Sequence, residues 1–230
     1  MFEDFSKRSK AIRAALELAA EGGWRSVTFT AIAERTGLGL ADLRRDFTCK
    51  ADILKAFQAE IDAEVLAKTK AAAPEQSPRD RVFEMIMTRF EVMTPYKPAL
   101  SRISSDLCCH PPEAAQLLPS TLASQYWMLA GAGAKLNGPG VGLRVAGLAA
   151  IYAKVFRVWL DDSSPGLDRT MAALDRRLKN GEYWLSNVEA ACDNFCRFAC
   201  GFVPRGWKRR ESGDAAQNTT SGASANPASA

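Results

Sequence analysis

The sequence predicts an all-α chain, with a small N-terminal helix-turn-helix unit of three helices ahead of a larger helical bundle, nine or ten helices in all. Two observations carry this. No segment alternates apolar and polar residues with period two over a useful length, whereas apolar residues recur at the 3.6-residue period of a helix. Glycines and prolines punctuate those periodic stretches about one helix apart.

Ser6 is placed to cap a first helix over 6–21, whose Ile12, Ala15, Leu16 and Ala19 share one face and which stops at Gly22-Gly23. Thr28 then stands at an N-cap position, with Val27 and Ile32 set to close a hydrophobic staple around a short helix over 29–36. Gly37 supplies the left-handed residue that ends it, and a third helix runs over 40–47. A fourth, 50–70, carries Ile53, Leu54, Phe57, Ile61, Val65 and Leu66 as a stripe and breaks at Ala71-Ala-Ala-Pro74. Ser77-Pro78 caps and opens the next helix, to Met93, and Pro95 and Pro98 precede one that ends near Cys108. After His110-Pro-Pro a long helix is expected to about Leu136, then a turn at Asn137-Gly-Pro-Gly140 and a helix over 143–160. Ser163-Ser164-Pro165 is expected to start another, to Asn180, and a last helix spans 186–201. These bounds divide the chain into a helix-turn-helix domain, 1–49, a larger helical domain, 50–203, with 50–70 connecting, and a tail, 204–230, too poor in apolar residues to fold.

Composition narrows the function. Hydrophobic residues at 47% and charged residues at 24% exclude a fully disordered or coiled-coil chain. Met1-Phe-Glu-Asp-Phe-Ser-Lys-Arg has no apolar run behind a basic leader, and the longest apolar stretch, 145–153, is half of the roughly 18 residues a membrane span needs, so neither export nor insertion is expected. The cysteines at 49, 108, 109, 192, 196 and 200 form no Cys-x-x-Cys pair and read as free thiols. His110 is the only histidine, which removes His-rich metal sites and most hydrolytic triads. Gly131-Ala-Gly133 lacks the strand and third glycine of a dinucleotide loop. No catalytic residue, metal or cofactor is expected. The net charge of +4 permits nucleic-acid binding without requiring it.

Residues 28–54, TFTAIAERTGLGLADLRRDFTCKADIL, resemble the DNA-binding segment of the TetR family of bacterial transcriptional regulators. The likeness lies in Thr28, Ile32-Ala33, Gly37-Leu38, Leu43, Phe47, Lys50 and Leu54, with Gly22 closing the preceding helix. It implies a cytoplasmic bacterial repressor that binds operator DNA as a homodimer and answers to a small apolar or lipid-like ligand, with 50–203 as the ligand-binding and dimerisation domain. A recognition helix must bring its first residues to base edges while hydroxyls and cations hold phosphates. The positions that match those tasks are Thr28, Thr30, Gly39, Leu40, Asp42, Arg44, Arg45 and Lys50. Gly39, Arg44 and Asp46 depart from the small hydroxyl, tyrosine and histidine usual in the family, and residues 1–50 carry nine basic against seven acidic side chains.

Residues 144–178, RVAGLAAIYAKVFRVWLDDSSPGLDRTMAALDRRL, look like the C-terminal region of a lipid-binding accessory family of ubiquinone biosynthesis. That family shares the TetR-type fold and is not regarded as binding DNA. Its terminal amphipathic helix corresponds to the last one here, where Val188, Cys192, Phe195, Phe198, Ala199 and Phe202 precede Trp207-Lys-Arg-Arg210, a pattern that suits peripheral membrane contact. For an apolar ligand the candidates are Met85, Phe90 and Met93, then Trp127, and Tyr152, Phe156 and Trp159. Leu148, Ile151, Val155, Leu174 and Leu178 lie where TetR proteins pair their subunits and are the candidate dimer contacts.

Overall fold

A computed structural model describes residues 6–69, 76–134, 136–138 and 140–180, and among these there is no strand. The helix-turn-helix unit consists of α1 (Lys7–Gly22), α2 (Phe29–Thr36) and α3 (Leu40–Asp46). Then follow α4 (Lys50–Lys68), α5 (Pro78–Met93), α6 (Lys97–Cys108), α7 (Pro111–Gln116), α8 (Leu118–Gly131) and α9 (Val141–Leu160). A further helix, α10, occupies 168–180. The helix expected over 186–201 and the tail after 204 lie outside the described residues. The described helices all fall in one compact unit.

The start signals act as their chemistry requires. Ser6 Oγ accepts from Ser9 N at 3.2 Å, Thr28 Oγ1 from Ala31 N at 3.1 Å and Ser77 Oγ from Asp80 N at 3.1 Å, each satisfying an orphan donor of a first turn. Val27 and Ile32 are both buried, which closes the staple. Gly23 and Gly37 end α1 and α2 with φ of 83° and 71°, values that an L side chain rarely adopts.

Two elements differ from expectation. The helix expected to run from Pro111 to Leu136 divides at Leu117 into α7 and α8. Pro119 has no N–H to give a preceding turn and its ring would strike that turn, so the chain restarts with the proline in the first turn of α8. α8 also ends early, at Gly131. There Gly133 N bonds to Ala130 O at 2.9 Å and Ala134 N to Leu129 O at 3.0 Å, a Schellman closure that the φ of 69° at Gly133 makes possible. α10 begins at 168 rather than at Pro165, because residues 163–167 form a turn around the buried carboxylate of Asp162.

The core is continuous along the unit. Ile12, Ala15, Leu16 and Ala19 of α1 meet Trp24, Ile32, Leu43 and Phe47 to hold the small unit together. α1 packs against α4 and α6 as well as α2, while α4 packs on α5 and α8 and α8 on α9. The bundle therefore touches the helix-turn-helix unit through both α4 and α6.

Candidate nucleic-acid interface and ligand cavity

α3 is held by its inner side alone. Leu43 and Phe47 are buried, whereas Leu40, Ala41, Arg44, Arg45 and Asp46 are exposed, as is the N-cap Gly39. No side chain caps α3. On α2, the Thr28 and Thr30 hydroxyls are exposed and lie 2.9 Å apart. Arg35 braces α2 on α1 through two bonds to Glu21, at 3.0 and 2.8 Å.

Asp42 is not a bare carboxylate on this face. Lys7 Nζ donates to its Oδ2 at 3.0 Å and Arg45 Nη2 lies 3.3 Å from its Oδ1. The hydrogen bond from Lys7 holds the Asp42 carboxyl below the usual carboxylate range, against a smaller upward push from desolvation. Lys50 points elsewhere than the sequence suggests. Its Nζ donates to the Trp24 carbonyl at 2.8 Å and sits 4.8 Å from the centroid of the indole, so it fastens the start of α4 to the turn between α1 and α2. Beside it, Asp52 Oδ2 accepts from the backbone N–H of Thr48 and of Cys49 at 2.9 and 3.0 Å. The bond from Lys55, followed by these two amides, lowers the Asp52 carboxyl to about 2 despite some desolvation.

The aromatic residues expected around a ligand instead fill space themselves. Phe90 stacks on Tyr152 and on Trp159, with centroids 5.4 Å apart in both pairs, and Phe156 adds contacts to Tyr152 and Trp159 at 5.9 and 5.4 Å. Phe90 and Trp159 are fully buried, Met93 accepts from the Tyr152 hydroxyl, and Met85 is buried in the same core. Trp127 lies apart, 53% exposed against Tyr126. Among the dimer candidates, Leu148, Val155, Leu174 and Leu178 are buried within the protomer and Ile151 is half-buried.

Next to this cluster lies a buried ion pair absent from the sequence reading. Arg89 is paired with Asp62 and donates through Nε to the Tyr152 hydroxyl at 3.2 Å, while Ser124 Oγ donates to Asp62 at 2.9 Å. Burial opposes the guanidinium's charge most strongly, but Tyr152 and Asp62 together outweigh it and raise the Arg89 pKa. Burial likewise raises the Tyr152 phenol. Gln125 is also fully buried, and neither of its amide atoms has a partner among the described residues.

Open space occurs elsewhere, in a cavity of about 970 Å³ between the start of α5, the end of α8, α9 and α10. Val82, Leu129, Leu143, Leu148, Ile151 and Leu178 give it apolar walls. Arg79, Arg81, Arg144, Lys154 and Arg177 also line it, and among the described lining residues there is no carboxylate. Three of the residues expected at a subunit contact, Leu148, Ile151 and Leu178, thus face this cavity, and none of the expected ligand residues does.

A family model described as bacterial regulatory proteins, tetR family, matches residues 11–57. Similar solved structures include a TetR transcriptional regulator from Nitrosomonas europaea ATCC 19718, at 20% identity over 77% of this chain and 99% of that one with a TM-score of 0.62. The fold is the TetR fold. A TetR regulator from Rhodococcus sp. RHA1 (20% identity, 74% and 94% coverage, TM-score 0.53) has the same fold, as does a TetR-family regulator from Syntrophomonas wolfei str. Goettingen (17% identity, 78% and 94% coverage, TM-score 0.52). At these identities the likeness is one of fold. The COQ9 model matches 144–183, which places a second family's signature on α9 and α10 of the same TetR fold. No curated protein matches the chain. Among the described residues no helix is long and apolar enough to cross a membrane.

Proposed function

We propose that this chain is a one-component transcriptional regulator of TetR type, a cytoplasmic, non-enzymatic protein that binds operator DNA as a homodimer and responds to a small ligand. The observation that carries the reading is the outward side of α3. Leu40, Arg44 and Arg45 are exposed there on a helix anchored by Leu43 and Phe47, and the one half-buried carboxylate, Asp42, is compensated by Lys7 and Arg45. A helix so presented suits a major groove, and two of them in a dimer would read half-sites roughly 34 to 36 Å apart. Phosphate contacts fall to Thr28, Thr30 and Arg44, with base contacts to Leu40, Asp42 and Arg45. Since most of the expected interface leucines are inside the protomer, the dimer contact would use the exposed side of α9, with Ala153 and Arg157, and Met171 of α10. Repression is the mode assigned, with the ligand favouring a half-site spacing that the operator does not match.

Gel-shift binding to the DNA flanking its own gene, at physiological salt and against random competitor, tests the reading. A specific shift is expected. Arg45→Ala should relax discrimination at one base position, by about 1 to 3 kcal/mol if the contact is bidentate. Arg44→Ala should weaken specific and random duplexes alike and flatten the salt dependence. Absence of any specific shift, with or without extracted lipid, would favour the second reading, a lipid- or isoprenoid-binding accessory protein with peripheral membrane contact. The COQ9 match over 144–183 supports that alternative.

A further inference from the structure

We infer that the cavity between α5, α8, α9 and α10 binds a single-chain amphiphile with an acidic head, a carboxylate or a phosphate, its hydrocarbon tail on the leucine, isoleucine and valine walls and its head against Arg81 and Arg177. This deepens the ligand-binding part of the proposed function and rests on it.

The volume, about 970 Å³, is at the upper end of what small-molecule sites enclose, so the space takes an extended chain and not only a small head. Charge then selects among amphiphiles. Five cationic side chains and no carboxylate line the cavity among the described residues. Arg79 is engaged by Asp175 and Asp80. Arg79, Arg81 and Arg177 each have a buried Nε without a hydrogen-bond partner among the described residues, but Arg79 already has its carboxylates, which leaves Arg81 and Arg177 to take a head group. A buried donor left unmet is costly, and an acidic head would meet it with a charge-assisted, bidentate bond. Gly133 helps to place one of them. The Arg81 guanidinium crosses this glycine, with Nη1 3.5 Å from where a Cβ would be, and the φ of 69° disfavours any larger residue. Lys154, exposed on α9 at the cavity wall, adds a third positive charge.

The chain's own later segment is a poorer occupant by charge. Residues 187–210 contain two acidic and five basic side chains, the same sign as the cavity's rim. A trimethylammonium head offers these donors no acceptor, and an uncharged head offers acceptors without the opposite charge.

The test uses four probes of one chain length on the full-length protein without DNA: dodecyl phosphate, dodecanoate, dodecyl maltoside and dodecyltrimethylammonium, titrated calorimetrically below their micellar concentrations. Dodecyl phosphate or dodecanoate should bind roughly tenfold or more tightly than the neutral and cationic probes. Arg81→Gln with Arg177→Gln should remove that advantage and leave dodecyl maltoside unchanged. Gly147→Leu, at a helical position where an added Cβ meets nothing within 4 Å, should fill the space and abolish binding of all four while the protein stays folded. Equal affinity for the four probes, or full affinity for dodecyl phosphate in the double variant, would overturn the inference. Tight dodecyl phosphate binding that leaves operator binding unaltered would support the site and count against the ligand-responsive regulator.

Discussion

Asp106 of α6 accepts the backbone N–H of Arg25 through Oδ2 at 3.2 Å, so a carboxylate of the bundle bonds directly to the turn that joins α1 to α2. The same oxygen lies 2.9 Å from where a Cβ would stand on Gly23, whose φ is 83°. Displacement of α6 therefore reaches the helix-turn-helix unit through one hydrogen bond and one close approach. Asp106→Ala should cost about 1 kcal/mol, in keeping with a partly solvated bond. Hydrogen exchange at the Arg25 amide should accelerate in this variant. Gly23→Ala should cost more, since it adds strain at positive φ to the collision with Asp106. An unchanged Arg25 exchange rate in Asp106→Ala would refute the coupling.

Lys50 should prove to be a stabilising residue of the fold. Lys50→Ala removes a bond to the Trp24 carbonyl and a cation from the indole face, together about 1 to 2 kcal/mol. Thermal denaturation should show the loss with no DNA present. Lys50→Met, which keeps most of the packing but none of the charge, should recover only part of it. A wild-type melting temperature for Lys50→Ala would show that the Trp24 contact contributes nothing.

The Arg89 pair makes a sharper demand on the bundle. Asp62→Ala strands a buried guanidinium and should destabilise by about 3 to 5 kcal/mol. Replacing both partners with apolar residues, Asp62→Leu with Arg89→Met, should be far milder than the sum of the single changes, because no charge is left buried. Chemical denaturation of the four proteins in the double-mutant cycle measures this. Simple additivity would argue against direct coupling.

Acid should loosen the start of α4 first through Asp52. Its carboxyl titrates at about 2 when folded and at an ordinary value near 3.8 when unfolded. Its contribution is therefore complete above about pH 4 and declines as the pH falls toward 2. Asp52→Asn should flatten the acid limb of the stability curve between those values, and an NMR titration of the wild-type carboxyl should show the depressed midpoint. An ordinary midpoint would remove the basis for this dependence.

Much of the fold was legible because local chemistry specified it. Ser6, Thr28 and Ser77 each cap the helix they precede, and Gly23 and Gly37 end theirs at positive φ. The helix-turn-helix pattern was equally plain, since its spacing is fixed by buried contacts. The polar geometry was less accessible. Lys50 and Trp24 are 26 residues apart, as far outside any local pattern as Lys7 and Asp42, which are 35 apart. Arg89 did leave a trace, standing in phase with Val82, Ile86 and Met93 on the buried side of α5. Met85, Phe90, Met93, Trp127, Tyr152, Phe156 and Trp159 are large, apolar or soft, qualities that fill a core as readily as they line a cavity. The cavity itself depends on where α5, α8, α9 and α10 leave a gap, and on charges drawn from several helices.

Asp162 carries a consequence for the turn between α9 and α10. Its buried carboxylate accepts from the backbone N–H and the hydroxyl of both Ser164 and Thr170, at 3.1, 2.6, 2.8 and 2.7 Å. Burial would raise this carboxyl, yet those four bonds override it and hold it well below the carboxylate range. An asparagine has the same size but only one accepting oxygen, and its amide nitrogen would point a donor at donors. The turn thus reads polarity rather than shape. Replacing one oxygen with an NH₂ group would upset the start of α10, although no void or steric clash would be created.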